Sequence, residues 1–180
     1  TAEETLLPGD LMHILCRKYF VGSLADRAID EGYEQVVSLG AGFDHLGAYL
    51  SKKSTVVFEL DKPKMIEEKK AFVKAQKLNN QNLNFVACNV DETNLNEALK
   101  THPNFSTAKK TLFVAEGFFD YLGQYSLKKL LADIKHLNSN NRLVSTFFSL
   151  DELHWLHRLF FKSGVAMVGD GVNGAPAMAN

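Results

Sequence analysis

The sequence predicts an α/β domain in which helices cover both faces of a mostly parallel sheet. Short apolar runs alternate with helix-period segments along the chain. The runs are rich in β-branched and aromatic residues, as is typical of strands buried on both faces. The segments between them are long enough for the helical crossovers that join parallel strands.

Five runs have the length and composition of buried strands. They occupy residues 35–39, 55–60, 84–88, 111–115 and 142–148. Each run is followed by polar or glycine-containing residues, which mark the strand ends. We therefore predict five strands, with the core truncated after the fifth.

Helix-period patterns fill the gaps between the runs. They predict helices over residues 19–31, 62–77, 94–100 and 126–137. Pro63 suits the first position of the second helix, with Asp61 as a candidate cap just before it, and Ser126 is the expected cap of the fourth. The Lys-Glu stretch 62–70 is expected to be a solvated helix face. From the first strand on, we predict the alternation β-α-β-α-β-α-β-α-β, with the helix at 19–31 ahead of it and no range assigned to the helix between the first two strands.

Composition limits the classes of function. The 180 residues are 46% apolar and 23% charged, as in one soluble globular domain, and the net charge of −1 disfavours a nucleic-acid binder. Cys16 and Cys88 are too few for a disulfide scaffold, which favours a reducing cytoplasm, and metal-ligand spacing is absent. No apolar run reaches the roughly 20 residues that span a bilayer. We expect a cytoplasmic protein without a metal.

Ligands in such sheets bind outside the carboxyl ends of the strands. Gly40 and Gly42 follow the first strand and allow close approach of a nucleotide, although a ligand-free turn would have the same glycines. His45 stands where a dinucleotide fingerprint has its third glycine, which weakens a nicotinamide interpretation. Asp61 ends the second strand. An acid at this position accepts hydrogen bonds from ribose hydroxyls, or it caps the next helix.

Polar and aromatic residues follow the next two strands. Asn89 comes after the third strand and is a candidate for the adenine edge. Glu116 comes directly after the fourth and is followed by three aromatic residues, Phe118, Phe119 and Tyr121. Aromatic faces and a carboxylate suit a sulfonium and an ammonium group. The alternative is that these aromatics pack under the following helix.

Taken together, five segments in register resemble the leucine carboxyl methyltransferase family, which includes bacterial O-methyltransferases. They are RKYF (17–20), VVSLGAGFD (36–44), VFELDKP (57–63), VACNV (86–90) and TLFVAEGFFDYL (111–122). The resemblance implies a Rossmann-like class I core that binds S-adenosylmethionine. It also implies methyl transfer to a carboxylate or hydroxyl oxygen of a small molecule or peptide.

The resemblance also implies roles for individual residues. Arg17 would pair with the carboxylate of S-adenosylmethionine, and Gly40 and Gly42 would pass beneath its methionine moiety. Asp61 would hold the ribose and Glu116 the amino end of the cofactor. Asn89 stands where the family usually has an aspartate beside adenine, and Val90 would give the neighbouring backbone contact.

Catalytic residues are less defined than cofactor-binding ones. Glu116 and Tyr121 are the candidates, and His45 or Asp120 would serve as a base for a hydroxyl acceptor. Two other functions remain open at this point. One is an NAD(P)-dependent reductase on the same kind of sheet, and the other is a degenerate S-adenosylmethionine-binding domain without catalysis.

The C-terminal part differs from the rest of the chain. We expect a methyltransferase domain over residues 1–161 and an atypical glycine-rich tail over 162–180. The tail resembles the GDGxNDxP segment of P-type ATPases, but Gly174 replaces the second aspartate and the chain has no DKTG nucleophile motif. We therefore expect no phosphoryl transfer. His154 and His157 flank Trp155, and we expect a partly buried aromatic helix there rather than a metal site.

Overall fold

The computed structural model describes residues 10–137 and 140–146. Five parallel strands form one sheet in the order β3-β2-β1-β4-β5. The strands are β1 (Gln35–Leu39), β2 (Val56–Asp61), β3 (Leu83–Ala87), β4 (Thr111–Ala115) and β5 (Asn141–Ser145). This confirms the predicted α/β fold, and the described part of the sheet is fully parallel.

Helices alternate with these strands. They are α1 (Asp10–Asp30), α2 (Leu46–Leu50), α3 (Pro63–Ala75), α4 (Leu95–Lys100) and α5 (Gln124–Leu137), with short 3-10 turns at Ser51–Lys53 and Phe119–Tyr121. No helix of the described ranges is both long and apolar enough to cross a bilayer.

The two faces of the sheet bury separate apolar clusters, because successive strand residues point to opposite sides. On one face α1, α2 and α3 cover a cluster that contains Val36, Val57 and Leu112. On the other face α4 and α5 cover a cluster that contains Phe58 and Phe113. The prediction of helices on both faces is confirmed.

Two helix starts differ from the sequence prediction. α1 begins at Asp10 rather than at residue 19. The sequence pattern missed its first turns because their apolar residues Leu11, Met12 and Leu15 are exposed and do not follow the spacing of a core-facing stripe. α5 begins at Gln124, which places Ser126 inside the first turn instead of at the cap. The predicted strands agree with the observed ones to about one residue, except that positions 147 and 148 of the fifth lie outside the described residues.

The expected helix cap at Asp61 is wrong. Lys62 occupies the N-cap position of α3, and no side chain caps that helix, while Pro63 begins it as predicted. Proline is tolerated there because the first helical N–H has no partner within the helix. The Asp61 carboxylate is therefore available for other contacts.

Candidate functional site

A cleft opens at the carboxyl edge of the sheet, where the ends of β1, β2, β3 and β4 meet. Its volume is about 440 Å³ when the space open to solvent is included. Four of the seven predicted cofactor residues line it, whereas Arg17, Gly42 and Glu116 do not. The lining includes Gly40, Asp61, Asn89, Val90 and Tyr121.

The loop after β1 combines a left-handed backbone with a close packing contact. Gly40 has φ of +63° and Gly42 has φ of +43°, a region that side chains rarely adopt. A Cβ at Gly40 would overlap the ring of Phe118, which also lines the cleft. Glycine at position 40 is thus required by both conformation and space.

Asp61 joins the end of β2 to this loop. Its Oδ2 accepts a hydrogen bond from the Gly42 N–H at 2.8 Å, and its Oδ1 accepts one from the Lys62 N–H at 2.7 Å. Each carboxylate oxygen has a second lone pair, so both retain acceptor capacity toward the cleft. An acid held in this way can accept hydrogen bonds from two neighbouring hydroxyl groups.

The turn after β3 supplies the opposite wall of the cleft. The Asn89 side-chain Oδ1 accepts a hydrogen bond from the Asp91 N–H at 3.3 Å, and the Asn89 carbonyl accepts one from the Thr93 N–H at 2.7 Å. Val90 is buried beside it. Cys88 also lines this wall, and burial raises the pKa of its thiol.

Arg17 and Glu116 form an ion pair at the same edge, although 99 positions separate them. Arg17 Nε donates to Glu116 Oε1 at 3.0 Å, and the two side chains are 14% and 8% exposed. Lys18 Nζ reaches the same oxygen at 3.3 Å and donates to Asp44 Oδ2 at 2.7 Å. α1 thus brings two cations to the ends of β1 and β4.

Electrostatics within this cluster favours the charged forms of Lys18 and Asp44. Burial alone would raise the pKa of the Asp44 carboxyl, but hydrogen bonds from Lys18 and from the Leu46 N–H lower it overall. Burial alone would lower the pKa of Lys18, but its contacts with Asp44 and Glu116 raise it overall. The edge is therefore a fixed array of paired charges.

The aromatic residues after β4 divide between the two predicted roles. Phe119 is buried and belongs to the core that α5 covers, which is the packing alternative. Phe118 and Tyr121 line the cleft, and Tyr121 is 69% exposed. Asp120 is exposed as well. The sulfonium-facing role thus stays a hypothesis for Phe118 and Tyr121 only.

His45, the other candidate base, lies next to the ion cluster. Its side chain is 76% exposed, and its Nδ1 lies 3.4 Å from Asp44 Oδ1. This position precedes α2, on the loop that follows β1. A base role remains a prediction for both His45 and Asp120.

Lys18, Asp44 and Lys69 contact the loops at this edge, and the sequence patterns indicated no role for them. Lys69 contradicts the expectation of a solvated stretch over 62–70, because its side chain is only 3% exposed. A signal was present in the sequence. Ile66, Lys69 and Val73 share the helical spacing of a core-facing stripe, and all three are buried.

Several predictions fall outside the described residues. These are the aromatic helix at His154 and His157, the tail over 162–180 and the domain boundary at 161. They stay predictions. Within the described ranges, no three side chains of the His, Cys, Asp and Glu types cluster as metal ligands do.

Comparison with known families gives one match. The sequence model described as leucine carboxyl methyltransferase matches residues 2–135, which is most of the chain. No curated protein sequence matches.

Solved structures with similar folds include several methyltransferases. A candidate methyltransferase from Thermobifida fusca has a TM-score of 0.64 at 14% identity, covering 88% of this chain and 61% of its own. A candidate O-methyltransferase from Nostoc punctiforme has a TM-score of 0.55 at 13% identity, covering 78% and 41%. A TehB-like SAM-dependent methyltransferase from Corynebacterium glutamicum has a TM-score of 0.53 at 19% identity, covering 79% and 70%.

These structural similarities define the fold as that of a Rossmann-like methyltransferase core. The chain spans about two fifths of the length of the Nostoc protein and about three fifths of the Thermobifida protein.

Proposed function

The chain belongs to the leucine carboxyl methyltransferase family, and from this premise we propose that it is an S-adenosylmethionine-dependent O-methyltransferase. The acceptor is a carboxylate or hydroxyl oxygen of a small molecule or peptide. The observation that carries the proposal is that Asp61 lies at the end of β2 and the Arg17–Glu116 ion pair lies at the end of β4, so that all three belong to the carboxyl edge of the sheet. These groups match the sugar and the zwitterionic amino acid of the cofactor.

We assign the residues at this edge to successive parts of S-adenosylmethionine, from its adenine to its amino-acid end. Asn89 and Val90 would flank the adenine, and the free lone pairs of Asp61 would accept hydrogen bonds from the ribose hydroxyls. The absence of a Cβ at Gly40 leaves room for the Phe118 ring, which would face the sulfur end. Arg17 would bind the α-carboxylate and Glu116 the α-ammonium. Each side chain would then replace its contact with the other by a contact with a charged group of the ligand.

When bound, S-adenosylmethionine supplies a sulfonium-activated methyl group, which an acceptor oxygen attacks in line as the carbon–sulfur bond breaks. The residues of the chain mainly align the two reactants, which is the proximity contribution to catalysis. A carboxylate acceptor is ionised at neutral pH and requires no base. For a hydroxyl acceptor, His45 or Asp120 would take the proton.

The acceptor oxygen is proposed on two grounds. The family description names carboxyl methylation, and the Nostoc neighbour carries the O-methyltransferase description. The exposed Tyr121 gives an aromatic surface at the mouth of the cleft, which suits an acceptor with an apolar portion.

Titration calorimetry with S-adenosylmethionine, S-adenosylhomocysteine and NADH tests the cofactor. We expect binding of the two adenosyl ligands and none of NADH. A folded chain that binds NADH and neither adenosyl ligand would overturn the proposal in favour of the reductase alternative.

Transfer is tested separately, with a radiolabelled methyl donor and a panel of carboxylate, phenol and alcohol acceptors. Labelled ester or ether product supports the O-methyltransferase. Cofactor binding with no transfer to any acceptor class would instead support the non-catalytic alternative.

A further inference from the structure

A buried ion pair lies directly beneath the glycine loop of the cleft. Lys69 Nζ of α3 is 2.9 Å from Glu59 Oε2 of β2, and the two side chains are 3% and 1% exposed. Neither residue lines the cleft. Removing two charges from water costs several kcal/mol per ion, and an apolar pair of similar size would often be as stable. The stability of the fold therefore does not explain the pair, and a contact that Lys69 makes outside it does.

Lys69 makes such a contact with the loop itself. Its ammonium donates a hydrogen bond to the Ala41 carbonyl at 3.3 Å, in a buried position. The Ala41 N–H donates to the Leu60 carbonyl at 3.0 Å, and the Gly42 N–H donates to Asp61. Three successive backbone groups of the loop are thus fixed. The middle one, the Ala41 carbonyl, accepts from the Asp44 N–H at 3.0 Å within the loop and from Lys69, which ties it to α3.

Glu59 fixes the position of the Lys69 ammonium. It lies in the middle of β2, two residues before Asp61, and a Cβ at Gly47 would overlap its carboxyl group. α2 therefore lies directly against the carboxyl group. Burial raises the pKa of Glu59, an effect that the Lys69 charge opposes. The carboxylate holds the ammonium between α2, α3 and the loop.

We propose that Lys69, held by Glu59, is a positioning residue that sets the backbone of residues 40–42 for cofactor binding. Through the Ala41 carbonyl it keeps the Gly42 N–H aligned on Asp61, and so keeps the carboxylate directed to the ribose. The inference rests on the proposed function for the identity of the ligand, whereas the loop contact itself does not depend on that function.

Two variants separate positioning from general stability. Lys69→Met removes the donor and leaves the Glu59 carboxylate buried without its partner, so both thermal stability and S-adenosylmethionine affinity should fall. The double variant Glu59→Met with Lys69→Met removes both charges at similar volume. Its stability should return to near that of the wild type, because no unpaired charge is buried. Its affinity should stay about tenfold weaker, because the Ala41 carbonyl then keeps only the hydrogen bond from the Asp44 N–H and has lost the one from α3.

Val73→Ala is the matched control. Val73 lies on the same face of α3 and is buried, but it packs in the apolar cluster and does not contact the loop. This variant should lose stability and bind S-adenosylmethionine like the wild type. A double Met variant that binds with wild-type affinity would overturn the proposal, because the donor to Ala41 would then be dispensable.

Amide hydrogen exchange keeps the inference distinct from the proposed function. In the ligand-free chain, the Gly42 N–H should exchange about tenfold faster in the double Met variant than in the wild type. If the wild type binds no S-adenosylmethionine, the proposed function fails, yet faster Gly42 exchange would still support the positioning role. Unchanged exchange at Gly42 would contradict it.

Discussion

The backbone N–H of Gly42 donates a hydrogen bond to Asp61 Oδ2 at 2.8 Å, which ties the loop after β1 to the end of β2. This contact orients the carboxylate and consumes only one lone pair of that oxygen. The geometry therefore makes Asp61 both a structural link between two strand ends and the candidate ribose acceptor.

The first prediction concerns Asp61→Asn. An amide has one acceptor oxygen, so it cannot serve both the Gly42 and Lys62 N–H groups and a ribose diol as well. S-adenosylmethionine affinity should fall by about ten- to a hundredfold, measured by calorimetry. Glu67→Gln, on the exposed face of α3, is the control and should bind like the wild type. Equal affinity of Asp61→Asn and wild type would argue against the ribose role.

The second prediction separates the two ends of the ligand. Arg17→Ala should weaken S-adenosylhomocysteine binding by about tenfold or more, because a charged hydrogen bond to the α-carboxylate is lost. Its affinity for methylthioadenosine, which lacks the amino-acid group, should stay unchanged. Competition against a labelled adenosyl ligand measures both affinities.

Arg27→Ala is the control for Arg17→Ala, since it removes an exposed arginine from the same helix. It should change neither affinity. If Arg17→Ala weakened both ligands equally, the arginine would act on the cleft as a whole and not on the amino-acid end.

The third prediction uses two glycines. Gly40→Ala should lower the free energy of unfolding by about 2 kcal/mol, because alanine is strained at positive φ and its Cβ displaces Phe118. Gly22→Ala, inside α1 with open space around its Cβ, should raise stability by about 0.5–1 kcal/mol. Urea unfolding measures both. An unchanged free energy of unfolding for Gly40→Ala would show that the loop accommodates the Cβ without strain.

The fourth prediction concerns acid stability. The folded-state pKa of Asp44 lies below its ordinary value of 3.8, so this group stabilises the fold above that pH. The contribution is lost as the pH falls through the folded-state pKa. Asp44→Asn should therefore be less stable than the wild type at pH 6 by about 1 kcal/mol, with the difference shrinking below pH 4. Urea titrations across this range measure it, and a constant difference would contradict the assignment.

The strands and the strand-end residues were predictable from local pattern. β-branched runs such as 111–115 are recognisable because strands buried on both faces are apolar throughout. Asp61 and Asn89 are recognisable because the carboxyl ends of parallel strands share one edge. Both depend on positions close in sequence, where the side-chain period is informative.

The ion cluster and the buried lysine depend on tertiary contacts and were not predicted. Lys18 and Glu116 are 98 positions apart, and no local pattern specifies that they meet. Lys69 has the spacing of a core-facing residue, but lysine side chains are usually solvated. The residue type therefore favoured an exposed position, although the spacing indicated a buried one. The start of α1 was missed for the converse reason, since its first turns expose apolar side chains.

The strand order also has a consequence for biosynthesis. β1 pairs on one side with β2, which follows it closely, and on the other side with β4, which emerges from the ribosome some 70 residues later. Until β4 is in place, the Arg17 guanidinium lacks the Glu116 carboxylate. A nascent chain that ends before β4 can form the pairing of β1, β2 and β3, yet it lacks the Glu116 carboxylate that pairs with Arg17 and Lys18. We therefore expect S-adenosylmethionine to stabilise the nascent chain against unfolding only late in translation, after β4 has been synthesised.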